Sequence, residues 1–488
     1  MFLHQLFAEF DPAKSLTDIP KIEIRGIADD SRLVQPGDLF IARSGQGLKY
    51  VADAQARGAV ALVASARVSG CSLPQVVVSD PAAAAGLLAH IFFHHPAQKL
   101  RVVGVTGTNG KTTTAYLIRH VLRKFNIRCG MIGTVEVDDG RAVHPSELTT
   151  PGAVELAGLL ARMRGRGCRA CAMEVSSHAL QQSRAAGIHF AGAAFTNLTG
   201  DHLDYHGTME KYAAAKAMLF KGLGDDAVAI VNAEDKWSAT MTAGCKGRII
   251  RFGFGKNADY RARDIAVTAE GSHFILHTPD GQAEVEVGLI GKHNIANALT
   301  AAAIVGEVFG LSVHQIASGL KDAPGAPGRL QAVRAGQPFA VLVDYAHTDD
   351  ALENVLTAMR PLTRGKLRVL FGCGGDRDRT KRPRMARTAA RLADAVYVTS
   401  DNPRKENPAQ ILDDIFTGFG RNHSTPIVRE PDRRAAIEKI LTDADAGDVV
   451  ILAGKGHEDY QIINDVKFHF DDVEEATRVL MTAGVNRS

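Results

Sequence analysis

Short runs of apolar residues alternate with longer stretches of helical character along the first hundred residues. The runs 38-DLFIA-42, 59-AVALVAS-65 and 75-QVVVS-79 have the length and composition of buried strands. The segment 81-PAAAAGLLAHIFFHH-95 has the length and residue types of a helix. Strands that alternate with helices in this way are typical of α/β domains.

The same alternation continues beyond residue 100 and is interrupted at two places. A proline-bearing link, 96-PAQKL-100, precedes a new strand, and 322-DAPGAPGR-329 is a break rich in proline and glycine. At 488 residues the chain is also too long for a single core. We therefore predict three α/β domains, spanning residues 1–98, 99–330 and 331–488.

Four apolar strands separated by helical segments are predicted in the last third of the chain. They are 339-FAVLVDY-345, 367-LRVLFGC-373, 394-DAVYVTS-400 and 448-DVVILAG-454. This pattern indicates a Rossmann-like, doubly wound parallel sheet, in which ligands bind at the carboxyl ends of the strands. Each of the four strands ends in a polar or glycine-rich cluster, so we expect a binding site there.

Composition and charge exclude several classes of protein. Hydrophobic residues make up 45% of the chain and charged residues 23%, as in ordinary globular proteins. A net charge of +3 argues against a nucleic-acid-binding surface, so 377-RDRTKRPR-384 is interpreted as a local anion site or a solvated loop. There is no signal-peptide pattern and no apolar run of membrane-spanning length, so we expect a cytoplasmic protein without membrane insertion.

The six cysteines are scattered, which fits a reducing compartment. Cys168 and Cys171 form a CxxC, but a zinc site would need a second pair or suitably spaced histidines. No metal is therefore assigned to them.

The segment 101-RVVGVTGTNGKTTTAYLIRHVLRKF-125 contains a strand, a glycine-rich loop, a lysine, hydroxyl residues and a helix, in that order. Gly107 and Gly110 allow the backbone to turn and to direct N–H groups at an anion. Lys111 can supply charge to the β- and γ-phosphates, and Thr112 can place its hydroxyl on Mg²⁺. The loop TGTNGKT is shorter than the strict GxxxxGK[ST] form, but the order of elements favours a nucleoside triphosphate site over a plain turn.

Two further apolar strands end in acidic, hydroxyl and histidine residues, in 171-CAMEVSSHAL-180 and 195-FTNLTGDHLDYHG-207. Glu174 closes the first strand at the depth where a Mg²⁺ carboxylate is needed, and His202 follows the second. Together with His202, His178 and His206 are expected at the ends of neighbouring strands beside the phosphate loop. A Ser177/His178 hydrolase pair is disfavoured, because adjacent strand residues point to opposite faces. By composition alone, Lys216 of the helix 209-MEKYAAAKAMLF-220 would be a solvated lysine.

Together these segments resemble the Mur ligases, which are ATP-dependent amide-bond ligases of peptidoglycan precursor synthesis, and hence of cell-wall biogenesis, cell shape and cell division. The resemblance covers essentially the whole chain. Its motifs are TGTNGKTT (106–113), EVSSH (174–178), TNLTGDHLDYHG (196–207), YAAAK (212–216), GKHNIANALTA (291–301), PGRLQ (327–331), VDYAHTDDALENVL (343–356), GCGGDRDRTKRP (372–383), DNPR (401–404) and GKGHEDYQ (454–461). Within the family, the set is most similar to the members that add diaminopimelate as the third residue.

The resemblance implies an N-terminal domain for the UDP end of the substrate, a central domain for ATP and a mobile C-terminal domain for the incoming amino acid. It implies that UDP-N-acetylmuramoyl-L-alanyl-D-glutamate is activated as an acyl phosphate and then attacked by the amine of meso-diaminopimelate. It further implies a monomer that uses ATP and Mg²⁺.

The resemblance also implies roles for individual residues. Lys111, Glu174, His202 and Lys216 are the implied catalytic residues, and Lys216 matches the family's carbamylated lysine. Mg²⁺ would be held by Thr112, Glu174, His202 and the carbamate. The implied ATP contacts are Gly107, Thr108, Asn109, Gly110, Lys111, Thr112, Thr113, Asn294, Asn297, Arg329, Asp344 and His347, with Tyr345 in the same motif as His347.

For the UDP-linked substrate, the implied contacts are Ser31, Thr149, Thr150, Ser176, Gln182 and Arg184. From the residues alone, Ser31 and Gln182 could equally be capping or solvated side chains. The loop 43-RSGQGLKY-50 is shorter than the common family form and lacks its Asp-Gly pair. This difference leaves open whether Ser44–Gln46 contact uridine.

A diaminopimelate site needs a guanidinium for the distal carboxylate and an acid for the distal ammonium, whereas lysine offers no distal carboxylate. DNPR with an arginine is the form of the diaminopimelate-adding members. The implied contacts are Arg377, Asp401, Asn402, Pro403, Arg404, Gly454 and Glu458. Taken alone, DNPR would be a turn that ends a strand.

Three alternatives are disfavoured. A lysine-adding member would not need Arg404, and EVSSH together with DNPR disfavours a folylpolyglutamate synthetase. A P-loop ATPase that acts through a partner would need no amino-acid pocket at the strand ends.

Overall fold

A computed structural model of the chain describes residues 1–11, 19–43, 47–268, 270–321, 323–420 and 424–485. The chain forms two compact units. The first comprises Met1–Arg263, Leu276–Ala283 and Ala296–Leu320, and the second comprises Asp264–Ile275, Glu284–Ile295 and Lys321–Ser488.

The N-terminal part of the first unit contains a four-stranded parallel sheet. Its strands are β1 (Gly26–Ala28), β2 (Asp38–Ile41), β3 (Ala61–Ala64) and β4 (Gln75–Val77), in spatial order 1-2-3-4. The helices of this part are α1 (Leu3–Phe10), α2 (Val51–Ala56), α3 (Pro81–Phe92) and α4 (Pro96–Lys99). Helix α3 begins at a proline and is capped by the Asp80 side chain, which accepts from two backbone amides. The predicted strands and helix of the first hundred residues are confirmed.

A larger sheet follows in the same unit. Eight of its eleven strands are β5 (Arg101–Thr106), β6 (Cys129–Ile132), β7 (Glu136–Asp138), β8 (Val143–Pro145), β9 (Ala170–Glu174), β10 (Phe190–Phe195), β11 (Val228–Asn232) and β12 (Arg248–Gly253). They lie in the order β12-β11-β10-β5-β9-β6-β7-β8, parallel except for β7 and β8. Strand β5 is buried from Val102 onward and lies between β9 and β10, so the carboxyl ends of these three strands meet.

Helices cover this sheet and connect its strands. They are α5 (Lys111–Lys124), α6 (Ala153–Gly165), α7 (Ser177–Gln181), α8 (Leu203–His206), α9 (Met209–Lys221), α10 (Ser238–Thr242), α11 (Lys292–Phe309) and α12 (Val313–Lys321). Three further strands, β13 (Tyr260–Thr268), β14 (Gly271–Thr278) and β15 (Gly281–Val287), come between α10 and α11 in the chain, and β13 is parallel to β12. Residues of α11, β13, β14 and β15 are divided between the two units.

The second unit contains a six-stranded sheet and a hairpin. The sheet strands are β16 (Gln331–Val333), β17 (Ala340–Asp344), β18 (Leu367–Phe371), β19 (Ala395–Val398), β20 (Ile427–Arg429) and β21 (Val449–Ala453). Their order is β16-β17-β21-β18-β19-β20, and only β16 is antiparallel to its neighbour. The hairpin consists of β22 (Tyr460–Ile463) and β23 (Val466–His469).

Both faces of the six-stranded sheet are covered. The helices are α13 (Asp349–Met359), α14 (Lys381–Leu392), α15 (Pro408–Phe416), α16 (Arg433–Thr442) and α17 (Asp472–Val485). Two apolar clusters, one containing Leu342 and Val369 and the other containing Val341 and Leu370, use alternate residues of the same strands. The alternation shows a doubly wound sheet, which confirms the prediction for the four long strands. The hairpin was not predicted.

The α/β fold class with parallel sheets is therefore confirmed. The exact domain limits, 1–98, 99–330 and 331–488, stay predictions. Among the described helices, none is both long and apolar enough to cross a membrane.

Candidate functional site

The glycine-rich loop lies between β5 and α5, at the centre of the large sheet. Gly110 is the residue before α5 and has φ +87°, a conformation that favours glycine. A Cβ at Gly110 would overlap Oδ1 of Asn297, and a Cβ at Gly107 would overlap the Thr196 hydroxyl. Both glycines are therefore required by close packing, and Asn297 of α11 lies against the loop. The role of Asn297 in binding the nucleotide stays a prediction.

Lys111 folds back over this loop. Its Nζ donates to the carbonyls of Gly107 at 2.9 Å and Thr108 at 2.8 Å. The segment after β10 supports the loop from the other side: Asn109 N donates to Asn197 Oδ1 at 3.0 Å and Thr196 Oγ1 donates to Asn109 O at 2.6 Å. A braced loop at a helix N-terminus with a lysine above it is an anion-binding arrangement. Thr112 and Thr113, which follow Lys111, are buried.

Glu174 ends β9 with its carboxylate fully buried beside the first turn of α5. Its Oε2 accepts from Thr112 Oγ1 at 2.9 Å, and Thr134 donates to both oxygens, through its backbone N at 2.8 Å and its hydroxyl at 3.0 Å. Sequence reasoning missed Thr134. The one feature of the sequence that could have indicated Thr134 is the Gly-Thr pair that follows β6, the strand next to β9.

Three histidines lie near the carboxyl ends of β9 and β10. The His178 ring lies 5.0 Å from that of His202 and 5.5 Å from that of His206. The proposed neighbouring strands are in fact separated, because β5 lies between β9 and β10. His202 is about half exposed, at 48%, and pairs with Asp201 at 3.5 Å. Its role as a Mg²⁺ ligand stays a prediction.

Ser177 does not lie on a strand, as the sequence suggested, but begins α7. Its hydroxyl lies 2.9 Å from Nε2 of the buried His206. The ring of His206 in turn stacks on Tyr212 at 4.9 Å. These contacts connect α7 to α8 and α9, and the expectation from opposite strand faces does not apply to Ser177 and His178.

Lys216 of α9 is 1% exposed, so the expectation of a solvated lysine from composition is wrong. Its Nζ donates to Gly107 O at 2.8 Å and lies 4.6 Å from the Tyr212 ring centroid. Burial, and then the nearby Lys111 cation, lower the pKa of Lys216 well below its usual value. Both effects disfavour the charged form of this amine.

Of the six residues expected to hold the UDP-linked substrate, all except Ser31 form a connected group beside Glu174. Thr149 Oγ1 lies 3.0 Å from Thr134 Oγ1, and Thr150 Oγ1 donates to Glu174 O at 2.9 Å. Arg184 donates to Thr150 O at 2.8 Å and to Gln182 Oε1. Ser176 donates its backbone N to Thr150 Oγ1 at 3.1 Å, while its hydroxyl caps α7.

A cavity of about 950 Å³ opens between the N-terminal sheet and the start of α6. Its lining includes Ser31, Asp29, Arg43, Gly152 and Glu155. Arg43 pairs with Asp29 at 3.2 Å, and burial raises the pKa of the Asp29 carboxyl. Sequence reasoning did not find Asp29 or Arg43. The positions Ser44–Gln46 lie outside the described residues.

In the second unit, the end of β17 forms the other predicted nucleotide group. Asp344 accepts from Leu330 N at 2.7 Å and Ala346 N at 2.8 Å, and burial raises the pKa of its carboxyl. The Arg329 guanidinium lies 5.0 Å from the Tyr345 ring. His347 Nδ1 lies 2.9 Å from Tyr345 O, and Asn294 is buried and donates to Ile290 O at 2.9 Å.

The carboxyl ends of β18, β19 and β21 bring together the residues predicted for the amino acid. Asn402 Nδ2 donates to Glu458 Oε2 at 2.7 Å. Gly454, with φ +114°, leaves room for Asp401, since a Cβ there would lie 2.9 Å from Asp401 Oδ2. Burial, and then the Asp401 charge, raise the pKa of Glu458.

Two arginines lie around the glycines that follow β18. Arg404 has φ +52° and donates to Gly375 O at 2.9 Å. A Cβ at Gly374 would lie 2.9 Å from Arg404 Nη1 and 3.8 Å from Arg377 Cγ, so the two side chains share this turn. Arg377 is exposed and donates to Asp376 O at 3.1 Å. Pro403 is buried against the same turn, with its carbonyl next to Gly375.

Known proteins resemble the chain along its whole length. The family model described as the Mur ligase middle domain matches residues 105–305, and that of the Mur ligase glutamate ligase domain matches residues 328–456. A protein of Gloeobacter violaceus named UDP-N-acetylmuramoyl-L-alanyl-D-glutamate--2,6-diaminopimelate ligase is 45% identical over 486 residues, 98% of each chain. A protein of the same name from Bacillus licheniformis is 42% identical over 94% of this chain and 95% of its own.

Solved structures agree with this pattern. One bearing the same ligase name has a TM-score of 0.74 at 35% identity and covers 98% of this chain and 99% of its own. The folylpolyglutamate synthase of Mycobacterium tuberculosis, complexed with ADP and AMPPCP, has a TM-score of 0.60 at 18% identity over 76% of this chain and 91% of its own. The second likeness shows a shared fold alone.

Proposed function

Since the chain belongs to the Mur ligase family, we propose that it joins meso-2,6-diaminopimelate to the D-glutamate of UDP-N-acetylmuramoyl-L-alanyl-D-glutamate in an ATP-dependent reaction. The observation that carries the proposal is the 45% identity over 98% of both chains with a ligase of that name. The product would be a peptidoglycan precursor, made in the cytoplasm by a monomer.

The reaction would proceed in two displacements. A carboxylate oxygen of D-glutamate forms a bond to the γ-phosphorus as the bond to the bridging oxygen of ADP breaks. The amine lone pair of diaminopimelate then forms the C–N bond, and phosphate and a proton leave. The loop amides and Lys111 would hold the phosphates in line, so that positioning and charge neutralisation supply most of the rate.

The residues at the end of β9 suit Mg²⁺. The buried Glu174 carboxylate and the Thr112 hydroxyl, 2.9 Å apart, are oxygen ligands of the kind that this ion prefers. When bound there, Mg²⁺ would neutralise phosphate charge. Among the described residues, no group of three His, Cys, Asp or Glu side chains is arranged to hold a metal ion. Phosphate oxygens, water, a modified lysine and His202 would supply the further ligands.

Lys216 would supply such a ligand as a carbamate. Its neutral amine can form a bond to the carbon of CO₂, with loss of a proton, and so become an anionic oxygen donor. Its burial next to Gly107 and Lys111 supports this role, because a fully buried ammonium beside another cation is unfavourable. His202 would complete the group from its exposed position.

The uridine end would occupy the cavity that includes Ser31, and the sugar and peptide would extend along Thr149, Thr150, Ser176, Gln182 and Arg184. The closeness of Thr150 to Glu174 supports this path, because it brings the substrate contacts to the edge where the phosphate loop lies. In the second unit, Arg404 would bind the distal carboxylate of diaminopimelate, and Glu458 would bind its distal ammonium.

Phosphate release by the purified protein tests the proposal. We expect ATP-dependent release that requires both the UDP-linked dipeptide and meso-diaminopimelate, and a tripeptide product by mass spectrometry. Lys111→Met should be inactive, while the exposed Lys211→Met on α9 should keep wild-type activity. Equal turnover with L-lysine would refute the specificity. Release without any acceptor would instead favour an ATPase that acts through a partner.

A further inference from the structure

The second unit contains a lysine that is completely buried among the residues of the amino-acid site. Lys455, just after β21, has a side chain that is 0% exposed. A buried ammonium is costly unless acceptors surround it. Its Nζ donates to Tyr460 O, lies 3.5 Å from Asn402 Oδ1 and lies 3.6 Å from Glu458 Oε2. The three partners come from three segments: the hairpin, the loop after β19 and the turn after β21.

Asn402 contacts both Lys455 and Glu458 through its side-chain amide. Its Oδ1 accepts from Ile462 N at 2.9 Å as well as facing Lys455, and its Nδ2 donates to Glu458 Oε2 at 2.7 Å. Both amide atoms are therefore used, and the orientation of the amide is determined by a donor on one side and an acceptor on the other. The hairpin is held to the loop by the same contacts and by Arg404 N, which donates to Ile462 O at 2.9 Å.

The two carboxylate oxygens of Glu458 have different contacts. Asn402 and Lys455 both approach Oε2, at 2.7 Å and 3.6 Å. Within the described part of the chain, Oε1 receives no hydrogen bond, and the side chain remains 18% exposed. A carboxylate with one oxygen occupied and the other accessible presents a directional acceptor for an ammonium group.

We propose that Lys455 is a positioning residue for the amino-acid substrate: with Asn402 it holds Oε2 of Glu458, so that Oε1 accepts a hydrogen bond from a substrate ammonium. The inference deepens the proposed function and rests on it. Lys455 acts through Glu458 and does not touch the substrate. Its charge also lowers the pKa of Glu458, which burial and the Asp401 carboxylate raise.

The charges around Lys455 and Glu458 predict how pH acts on binding. The charged and titratable groups nearby are Asp401 after β19, Arg433 of α16, Asp472 of α17, Tyr345 after β17 and Tyr460 of β22. Burial and Asp401 raise the pKa of Glu458, whereas Lys455 lowers it. Loss of the Lys455 charge therefore raises the pKa of Glu458 further. Glu458 then becomes protonated, and ceases to be an acceptor for the substrate ammonium, at a higher pH than in the wild type.

The test is the KM for diaminopimelate of Lys455→Met and Lys455→Gln between about pH 6 and about pH 9. The glutamine variant retains a donor for Tyr460 O and so guards against misfolding of the methionine variant. We expect each KM to rise about tenfold or more, because a charged hydrogen-bonded contact is lost, while the KM for ATP stays unchanged. The rise of KM on acidification should begin at a higher pH than in the wild type. The matched control is Lys467→Met, which removes an exposed lysine of the same hairpin and should leave both quantities unchanged.

A double-mutant cycle separates positioning from general loss of structure. If Lys455 acts through Glu458, then Lys455→Met should add less than about twofold to the KM of Glu458→Gln. An additive effect, or a rise in KM that is the same at every pH, would overturn the inference. If the wild type ligates diaminopimelate and both Lys455 variants keep its KM and pH profile, only this inference fails. If the wild type does not ligate diaminopimelate at all, the proposed function fails.

Discussion

Glu406 connects the two turns of the amino-acid site that carry an arginine, residues 374–377 after β18 and residues 401–404 after β19. Its replacement by glutamine should make both turns less stable. Its carboxylate accepts from Asp376 N at 2.5 Å, from Arg379 at 2.8 Å and from the fully buried Arg382 at 2.9 Å. It lies two residues after Arg404, and Asp376 precedes Arg377. Glu406→Gln preserves the shape of the side chain but leaves the Arg382 guanidinium with one carboxylate partner, Asp414 at 2.7 Å.

The size of the effect follows from the pairing. Hydrogen bonds from Arg382 lower the pKa of Glu406 from 4.5 to about 2. A difference of this size corresponds to at most about 3 kcal/mol of stabilisation of the folded state. Asp414 remains as a partner and is 26% exposed, so water offsets part of the loss. We therefore expect a decrease of about 2 kcal/mol in the free energy of local opening, below the roughly 3–5 kcal/mol lost when a buried ion pair is broken and no partner remains.

The pH dependence has a definite sign. The folded pKa of Glu406 is depressed, so its contribution is fully present above the unfolded pKa of 4.5 and is lost as pH falls through the folded pKa of about 2. The difference in the free energy of local opening between the wild type and Glu406→Gln should therefore be constant above about pH 5.5. It should decrease steadily as the pH falls below 4.5.

Hydrogen–deuterium exchange with mass spectrometry measures the effect locally, on peptides that cover residues 374–386. A decrease of about 2 kcal/mol corresponds to about 30-fold faster exchange, and the KM for diaminopimelate should rise because both arginine-bearing turns loosen. Peptides from the first unit should be unaffected. Asp413→Asn is the control, because Asp413 pairs with Arg429 at 2.8 Å on the surface and should change exchange by less than about fivefold. Unchanged exchange in Glu406→Gln would refute the reasoning.

Three further predictions concern the site directly. Lys216→Ala should abolish most ligation and regain part of it with acetate or formate, because the missing ligand is a carboxylate-like carbamate; the exposed Lys211→Ala should need no rescue, and an absence of rescue for Lys216→Ala would contradict the carbamate. Arg404→Ala should raise the KM for diaminopimelate by about tenfold to a hundredfold and reduce discrimination against L-lysine, because the guanidinium partner of the distal carboxylate is lost; a wild-type KM would contradict this role. Gly454→Ala should weaken diaminopimelate binding measured by calorimetry, because its Cβ would lie 2.9 Å from Asp401 Oδ2 at φ +114°, whereas Gly420→Ala, with open space around it, should bind as the wild type does.

Local patterns in the sequence were sufficient for much of the fold and for part of the site. Strand β5, the loop from Gly107 to Gly110 and Lys111 were predicted correctly because a strand, a glycine turn and a helix N-terminus are encoded by neighbouring residues. The four long strands of the second unit were predicted for the same reason. The family motifs then assigned roles to residues, such as Arg404, whose local pattern indicated only a turn.

Long-range packing decided the rest. Thr134 reaches Glu174 across 40 residues of sequence, and Lys455 reaches Asn402 across 53, so no local period could have revealed either contact. Lys216 has the sequence context of a solvated lysine, and only the packing of α9 against the phosphate loop buries it and lowers the pKa of its amine. The sequence by itself determined which segments become strands, helices and the phosphate loop, because these depend on neighbouring residues. The tertiary structure decided which side chains are desolvated and paired, because burial and charge depend on residues that are distant in the chain.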